Sequence, residues 1–358
     1  MGFSSSKLKS AVNEINKKSK TKSLLNDIRS KYIMEKISKN VKPKIFLEII
    51  KYNNKLQKKI NITINDYKKY FYDNQIQIEL KIIQNLKEDK NYFINFIKED
   101  ESYIHIYLNN DKKETKRNYI NKNEASSIIK ILLDIKFKKF EGLFKECKCI
   151  KKIKFINFKR NDITDISEMF SECDSLTDLD LSNFNTDNVK TMRHLFSMCI
   201  SLIYLDLSKF NTKNVIDFSN MFWLCWSLEK INLSSFTTDN AIYMNRMFDG
   251  CSNLSQLDLI KFNTINVIDM EDMFHGCASI KYLNLSNFKT DNVINMSEMF
   301  GYCSNLKELD ISNFNFDKAQ LPINFFKNCF SLEKVNIPKY SNAIILKLKN
   351  ILLKLKKE

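Results

Sequence analysis

The cysteines of this chain recur with a regularity that few folds can accommodate. Eight of the nine stand at an unbroken spacing of 26 residues, from Cys147 to Cys329. A phenylalanine lies three residues before each of the eight, and Leu or Ile lies three residues after most of them. A fixed period of this length indicates stacked supersecondary units, because one unit alone cannot bury its apolar side. The spacing therefore predicts a solenoid.

One repeat unit shows how each coil should fold. Leu205 and Leu207 alternate with polar residues, which predicts a strand with one buried face. Residues 211–214, Asn-Thr-Lys-Asn, have the composition of a turn. Four apolar residues then recur at roughly helical spacing and predict one or two turns of α- or 3-10 helix: Val215, Phe218, Met221 and Phe222.

The residue pattern within the repeat is more specific than its period. The segments LDLSNFNTDNV at 179–189 and LNLSNFKTDNVINMSEMF at 283–300 resemble the BspA-like leucine-rich repeats of bacterial surface lipoproteins and microbial eukaryotes. The resemblance covers residues 150–337. It implies an α/β leucine-rich-repeat solenoid with parallel strands that serves in binding or scaffolding, and in adhesion where members are surface-located. It supplies no catalytic residues.

Charge is distributed unevenly along the chain. The net charge is +15, but residues 173–337 carry 13 Lys and Arg against 19 Asp and Glu, a net of −6, which leaves +21 for the rest. A uniformly basic, nucleic-acid-binding solenoid would not show this pattern, so no specific nucleic-acid partner is expected. The basic flanks could contact an anionic membrane.

The N-terminal residues match a lipidation pattern. Met1-Gly2 followed by three residues and Ser predicts myristoylation of Gly2, and the lysines within residues 1–22 would be the second membrane signal. The alternative is a basic tail without lipid. We expect no secretory signal and no transmembrane helix, because no sufficiently long apolar stretch is present. The expected location is cytoplasmic, at the inner face of a membrane if Gly2 is lipidated.

The segments flanking the repeats favour separate domains. The pattern of residues 24–60 predicts two amphipathic helices. They weakly resemble the F-box-like modules of ubiquitin-ligase adaptors, and the alternative is a plain helical domain. Helical signals continue over 76–86. The expected divisions are a basic tail at 1–22, a mainly helical domain at 23–101, a β-rich cap at 102–149, the solenoid at 150–337 and a C-terminal capping helix at 338–358. The last of these could instead lie on a membrane.

Within the β-rich cap the pattern predicts three strands. The first covers 103–108 and ends in a turn at 109–111, after which 116–120 could return antiparallel. The third, at 128–137, should join the first coil. A solenoid needs such a cover over its exposed end.

Three columns of repeated residues follow from the register. The cysteines are predicted to be buried, reduced and structural. An Asp- and Asn-rich column from Asp180 to Asn336 should face solvent beside the strands, where it either keeps the sheet soluble or attracts a cation or basic peptide. An Asn column from Asn188 to Asn292 is predicted to bond the turn backbone.

Positions where the repeats differ from one another are candidates for binding. Two neighbouring coils carry large apolar residues where most of the others have small or polar ones, and exposed tryptophans are typical of partner sites. The alternative is that other parts of the chain cover them. The predicted partner-binding residues are Met198, Ile200, Trp223, Leu224 and Trp226.

No arrangement of residues points to catalysis. His194 and His275 fall at different repeat positions without a repeated carboxylate or cysteine constellation, and the chain has only five glycines and no phosphate loop. We expect no catalytic, metal or cofactor site. The favoured function is a non-enzymatic scaffold for a protein partner of unknown identity, and the sequence leaves the oligomeric state open. The alternatives are a ubiquitin-ligase adaptor that docks through 24–60 and a surface adhesin.

Overall fold

The structure is a computed structural model that describes residues 73–124, 128–320 and 323–339, with isolated positions at 58, 65, 343, 344, 346–348 and 350. The chain divides into two compact units, residues 1–75 and 76–358. Almost all described residues belong to the second unit. The predictions for the tail at 1–22 and for the helices at 24–60 lie outside the described residues.

The second unit begins with a sheet of five strands: β1 (Ile76–Ile82), β3 (Ile104–Leu108), β5 (Ile128–Leu133), β6 (Ile150–Asn157) and β7 (Asp178–Asp180). Their order in the sheet is β3-β5-β1-β6-β7. The pairs are antiparallel except β6 with β7, which are parallel, so this sheet leads directly into the repeats.

The helical prediction for residues 76–86 is wrong over β1. Ile76, Ile78, Leu80 and Ile82 are buried and alternate with less buried residues, which is the two-residue period of a strand. β1 also occupies the place next to the first coil that the sequence assigned to 128–137. β5 pairs with β3 and β1 instead, and β1 pairs with β6.

A smaller antiparallel pair completes the cap. It joins β2 (Lys90–Tyr92) to β4 (Tyr119–Asn121), and the 3-10 helix Lys98–Tyr103 precedes β3. The turn after β3 is confirmed, since Asn109 and Asn110 have φ of 50° and 63°. The predicted return alongside β3 is limited to one bridge between Ile106 and Thr115, because Tyr119–Asn121 pairs with β2 instead.

The predicted parallel strands of the repeats are confirmed. Neighbouring coils pair in a register of one repeat, with Leu205 opposite Ile231 and Leu309 opposite Val335. This pairing is interrupted twice in the described repeats: the strand at 178–180 is not paired with the strand at 204–206, and the segment around Leu257 forms no strand. The strands after β7 are β8 (Tyr204–Asp206), β9 (Lys230–Asn232), β10 (Tyr282–Asn284), β11 (Glu308–Asp310) and β12 (Lys334–Asn336). Isolated parallel bridges, such as Thr191 with Asp217, form a second ladder.

The return segment of each coil is a series of tight turns, so the prediction of a helix there is wrong. Two residues per coil have left-handed backbone, for example His194 with φ of 53° and Met198 with φ of 57°, and this interrupts a right-handed helix. The N–H groups of alternate residues bond to carbonyls of the next coil, as from Met198 to Trp223 at 2.7 Å. These bonds offset the strain of the left-handed residues.

The core of the solenoid is a continuous column of phenylalanines. The rings of Phe196, Phe222 and Phe248 are fully buried and stack at centroid distances of 5.7 and 5.4 Å, with interplanar angles of 5° and 15°. The same contact repeats from Phe144 to Phe300. Each coil therefore buries its apolar side only against its neighbours.

The predicted burial of the cysteines is confirmed, and all nine are free thiols. Each thiol from Cys173 onward donates a hydrogen bond to the carbonyl of a phenylalanine 29 residues earlier, as from Cys225 Sγ to Phe196 O at 3.0 Å. Burial raises the pKa of Cys225 to about 12. The thiols thus act as small buried donors between coils.

At the C-terminal end the described positions are sparse. Leu348 is buried in the same core, and Ile344 packs against it. The rest of 338–358 is described only in part, so the capping helix stays a prediction.

Candidate partner-binding surface

The five residues predicted to bind a partner lie together on two adjacent coils. Trp226 is 47% exposed, while Met198, Ile200, Trp223 and Leu224 are half-buried. Ile200 and Trp226 occupy equivalent positions of the two coils, as do Met198 and Leu224. The turns therefore place these side chains side by side on the surface.

The turn backbone fixes these side chains in place. Met198 and Leu224 both have φ of 57°, and each donates its N–H to a carbonyl of the following coil at 2.7 Å. The ring of Trp223 meets the edge of His194 at a centroid distance of 6.2 Å. A rigid backbone keeps apolar side chains at the surface instead of letting them collapse inward.

Two further exposed residues, which were not among the predicted ones, extend the cluster. Ile203 and Tyr204 are 53% and 55% exposed at the start of β8. The N–H of Glu229, which follows Trp226 closely, donates to the carbonyl of Ile203 at 2.9 Å, so the two segments are adjacent. Tyr204 faces outward because it precedes the buried Leu205 in the strand. We call this set the aromatic patch: Met198, Ile200, Ile203, Tyr204, Trp223, Leu224 and Trp226.

Gly250 gives Leu224 the space that it occupies. A Cβ at Gly250 would lie 2.6 Å from Leu224 Cδ2 and 3.2 Å from Leu224 Cα, whereas a Cβ at Gly142 would meet nothing closer than 3.7 Å. Both glycines have positive φ, +76° and +60°. We expect Gly250→Ala to lower the free energy of unfolding by about 1–3 kcal/mol more than Gly142→Ala, because only the first adds overpacking to backbone strain.

Urea unfolding of the two variants measures this difference. Equal losses in Gly250→Ala and Gly142→Ala would show that Leu224 does not fill the space beside Gly250. Adding Leu224→Ala to Gly250→Ala should restore part of the loss if the clash is the cause.

The two polar columns bond the backbone. Asp206 Oδ1 accepts from the N–H of Ser208 at 3.0 Å, and equivalent turns recur from Asp180 to Asp310. In the Asn column, Asn214 Nδ2 donates to the carbonyl of Asp187 in the preceding coil at 2.7 Å, and the same bond recurs from Asn188 to Asn292. The prediction of an asparagine ladder is confirmed.

Carboxylates of neighbouring coils surround His275, although no such arrangement repeats along the sequence. Asp249 Oδ1 lies 3.0 Å from His275 Nδ1, and Glu298 Oε2 lies 3.7 Å from Nε2. The hydrogen bond with Asp249 raises the pKa of His275 above its ordinary value. Local spacing does not reveal this cluster, because its members belong to successive coils and meet only where the coils stack.

In the described part of the chain, no helix is both long and apolar enough to cross a bilayer.

The parallel strands, their register of one repeat and the stacked phenylalanines define the class: this is a β-solenoid repeat protein of about seven coils with little helix in its described part. Residues 138–260 and 243–355 each match the family described as Mycoplasma protein of unknown function, DUF285. The matches cover more than half of the chain, which belongs to that family. Period and family together fit a BspA-like repeat protein. No curated protein matches the chain significantly.

Proposed function

We propose that the protein is a non-enzymatic interaction scaffold whose solenoid, of leucine-rich-repeat type, docks a folded protein partner on the aromatic patch. The observation that supports this is the exposure of Trp226, Tyr204 and Ile203 on adjacent coils. Trp and Tyr are the side chains that most often dominate binding energy, because they bury a large area at a low cost in conformational entropy.

The surroundings of the patch fit a bounded interface. Asp206, Glu229 and Lys230 lie beside Tyr204 and Trp226 and are exposed. Apolar residues at the centre with charged residues at the edge are typical of protein interfaces. A partner with an apolar centre and a mixed-charge rim would match this surface.

The other coils offer matched controls for the patch. Tyr282 occupies the position of Tyr204 three coils later and is 62% exposed, while Phe330 occupies the position of Trp226 four coils later and is 70% exposed. If exposed aromatic residues had no role in binding, alanine substitution would have the same effect on partner binding in either coil. At a binding site, only the substitutions within the patch should weaken binding.

We expect Trp226→Ala and Tyr204→Ala each to weaken partner binding by about 30-fold or more, which corresponds to roughly 2 kcal/mol. The partner is first captured from native extract with the unaltered protein, and its Kd is then measured for every variant. Tyr282→Ala and Phe330→Ala should leave the Kd nearly unchanged. Equal losses in all four variants, or none in the first two, would contradict the proposal.

A membrane tether at Gly2 forms a second part of the proposal, and its support is the Met-Gly-x-x-x-Ser pattern followed by lysines. Intact mass of the protein from its native cell should show a myristoyl group, and Gly2→Ala should move the protein from the membrane fraction to the supernatant. An unmodified Gly2 would remove the tether and leave the proposed patch unaffected.

A further inference from the structure

A cluster of one histidine and two carboxylates lies on the turn side of the solenoid, two coils beyond Trp223 of the aromatic patch. Asp249 stands between them, since its carbonyl accepts from the Leu224 N–H and its carboxylate contacts His275. Asp272 and Glu298 occupy equivalent positions in adjacent coils, with φ of 53° in both, and His275 is three residues after Asp272. One ligand atom from each of the three lies within 4.8 Å of the others. All three residues are half-buried.

Each of the three side chains makes a hydrogen bond to a side chain of an adjacent coil. Asp249 bonds His275 Nδ1 at 3.0 Å, Arg246 Nε donates to Asp272 Oδ2 at 3.0 Å, and Asn324 Nδ2 donates to Glu298 Oε1 at 3.0 Å. In metal sites, outer groups of this kind fix the tautomer and orientation of the ligands.

This arrangement leaves one nitrogen and one oxygen facing each other. With Nδ1 bonded to Asp249, the lone pair of the neutral imidazole is on Nε2, and Nε2 lies 3.7 Å from Glu298 Oε2. Two ligands of a tetrahedral zinc ion, with bonds of about 2.0–2.2 Å, lie roughly 3.3–3.6 Å apart. Only a small movement would bring both atoms to the distances that zinc requires.

Gly301 keeps the edge of His275 open. A Cβ there would lie 2.9 Å from His275 Cδ2 and 3.6 Å from Nε2. No left-handed φ is found at Gly301, so its backbone conformation does not require glycine. Other coils have Lys, Ser, Trp, Asp or His at this position. The absence of a side chain therefore leaves room beside the free nitrogen.

Charge also favours a cation at this place. The cluster itself contains the carboxylates of Asp272 and Glu298, Asp249 contacts it with a third, and the guanidinium of Arg246 is bonded to Asp272. Imidazole and carboxylate ligands together suit first-row divalent metals, with zinc the commonest in tetrahedral sites. We propose that His275, Asp272 and Glu298 bind one Zn²⁺ ion, with Asp249, Arg246 and Asn324 as the groups that orient the ligands.

The test is a titration of the full-length, untagged protein with Zn²⁺ after chelator treatment, at about pH 8, where the imidazole is more easily deprotonated. We expect one ion per chain. His275→Ala and Glu298→Gln should each abolish this binding, and Asn324→Ala should weaken it by about 10- to 100-fold. The control is His194→Ala, which removes a half-buried histidine of another turn and should bind zinc unchanged.

Two further readouts identify the ligands of the bound ion. A Co²⁺-loaded sample should show a spectrum of nitrogen and oxygen ligands, and thiolate absorption would assign the metal to cysteines. The midpoint of thermal unfolding should rise in Zn²⁺ for the unaltered protein but not for Glu298→Gln, which keeps the side-chain volume. Zinc binding that persists in His275→Ala, or no binding by the folded protein, would overturn the proposal and leave His275 as an ion-pair partner of Asp249.

Discussion

The free energy of unfolding should fall steeply above about pH 9, far more than for a protein whose titrating groups are all at the surface. All nine cysteines are buried, and burial raises the pKa of every one of these thiols above the ordinary value of 9.0, to about 12 for Cys149, Cys225 and Cys329. Between these values the native thiols stay protonated, whereas the thiols of the unfolded chain ionise.

The direction and size follow from proton linkage. The unfolded state binds fewer protons than the native state in this range, so the free energy of unfolding decreases as the pH rises. At pH 10 the difference is about 1.4 kcal/mol for each thiol whose native pKa is about 12, or roughly 4 kcal/mol for Cys149, Cys225 and Cys329 together. Whole domains are typically stable by about 5–15 kcal/mol. We therefore expect a large part of the stability to be lost by pH 10, because burial raises the pKa of the other six thiols in the same direction.

Urea unfolding in the presence of a reductant, repeated between about pH 7 and pH 10, measures this loss. Cys225→Ser is the matched variant, because its hydroxyl can donate to the carbonyl of Phe196 but does not ionise in this range. The decrease in stability across the range should be smaller in the variant by about 1.4 kcal/mol. A protein whose stability is flat up to pH 10 would contradict the burial of the thiol column.

Phe222→Ala should cost about 3–5 kcal/mol, which is a large part of the stability of the fold. Phe222 is fully buried and stacks on Phe196 and Phe248 at centroid distances of 5.7 and 5.4 Å. Removing the ring leaves a cavity between three coils, and the flat stacked rings on either side cannot collapse into it without breaking the bonds between coils.

Phe330→Ala is the control for that substitution. Phe330 is 70% exposed, so its truncation should change the free energy of unfolding by less than about 0.5 kcal/mol. Chemical unfolding monitored by circular dichroism compares the two variants. A loss of less than about 1 kcal/mol in Phe222→Ala would show that the phenylalanine column does not hold the coils together.

The repeat could be predicted well because its signals are local and recur many times. The cysteine period predicts the stacking of coils, and the alternation of Leu205 and Leu207 predicts the strand. The Asn column predicts the hydrogen-bonded ladder that Asn214 and its equivalents form. Each of these predictions depends on equivalent residues of adjacent coils lying next to each other.

The errors have physical causes as well. Apolar residues three and four apart indicate a helix, but consecutive tight turns produce the same spacing, and only the φ values of His194 and Met198 distinguish the two. The alternation in Ile76–Ile82 is visible in the sequence, but Leu80 and Ile83 also follow Ile76 at helical spacing. The surroundings of His275 depend on contacts between coils, and writing the repeats in rows, one coil to a row, places Asp249 directly beside it.

The central claim is that one patch on the solenoid, and not the solenoid surface in general, receives a protein partner. The direct measurement places a photoreactive amino acid at position 204 or, as the control, at position 282, and analyses the crosslinked products in native extract by mass spectrometry. The claim predicts that position 204 gives an adduct with one protein, that Trp226→Ala suppresses this adduct, and that position 282 gives none with that protein. The same adducts from both positions would contradict it.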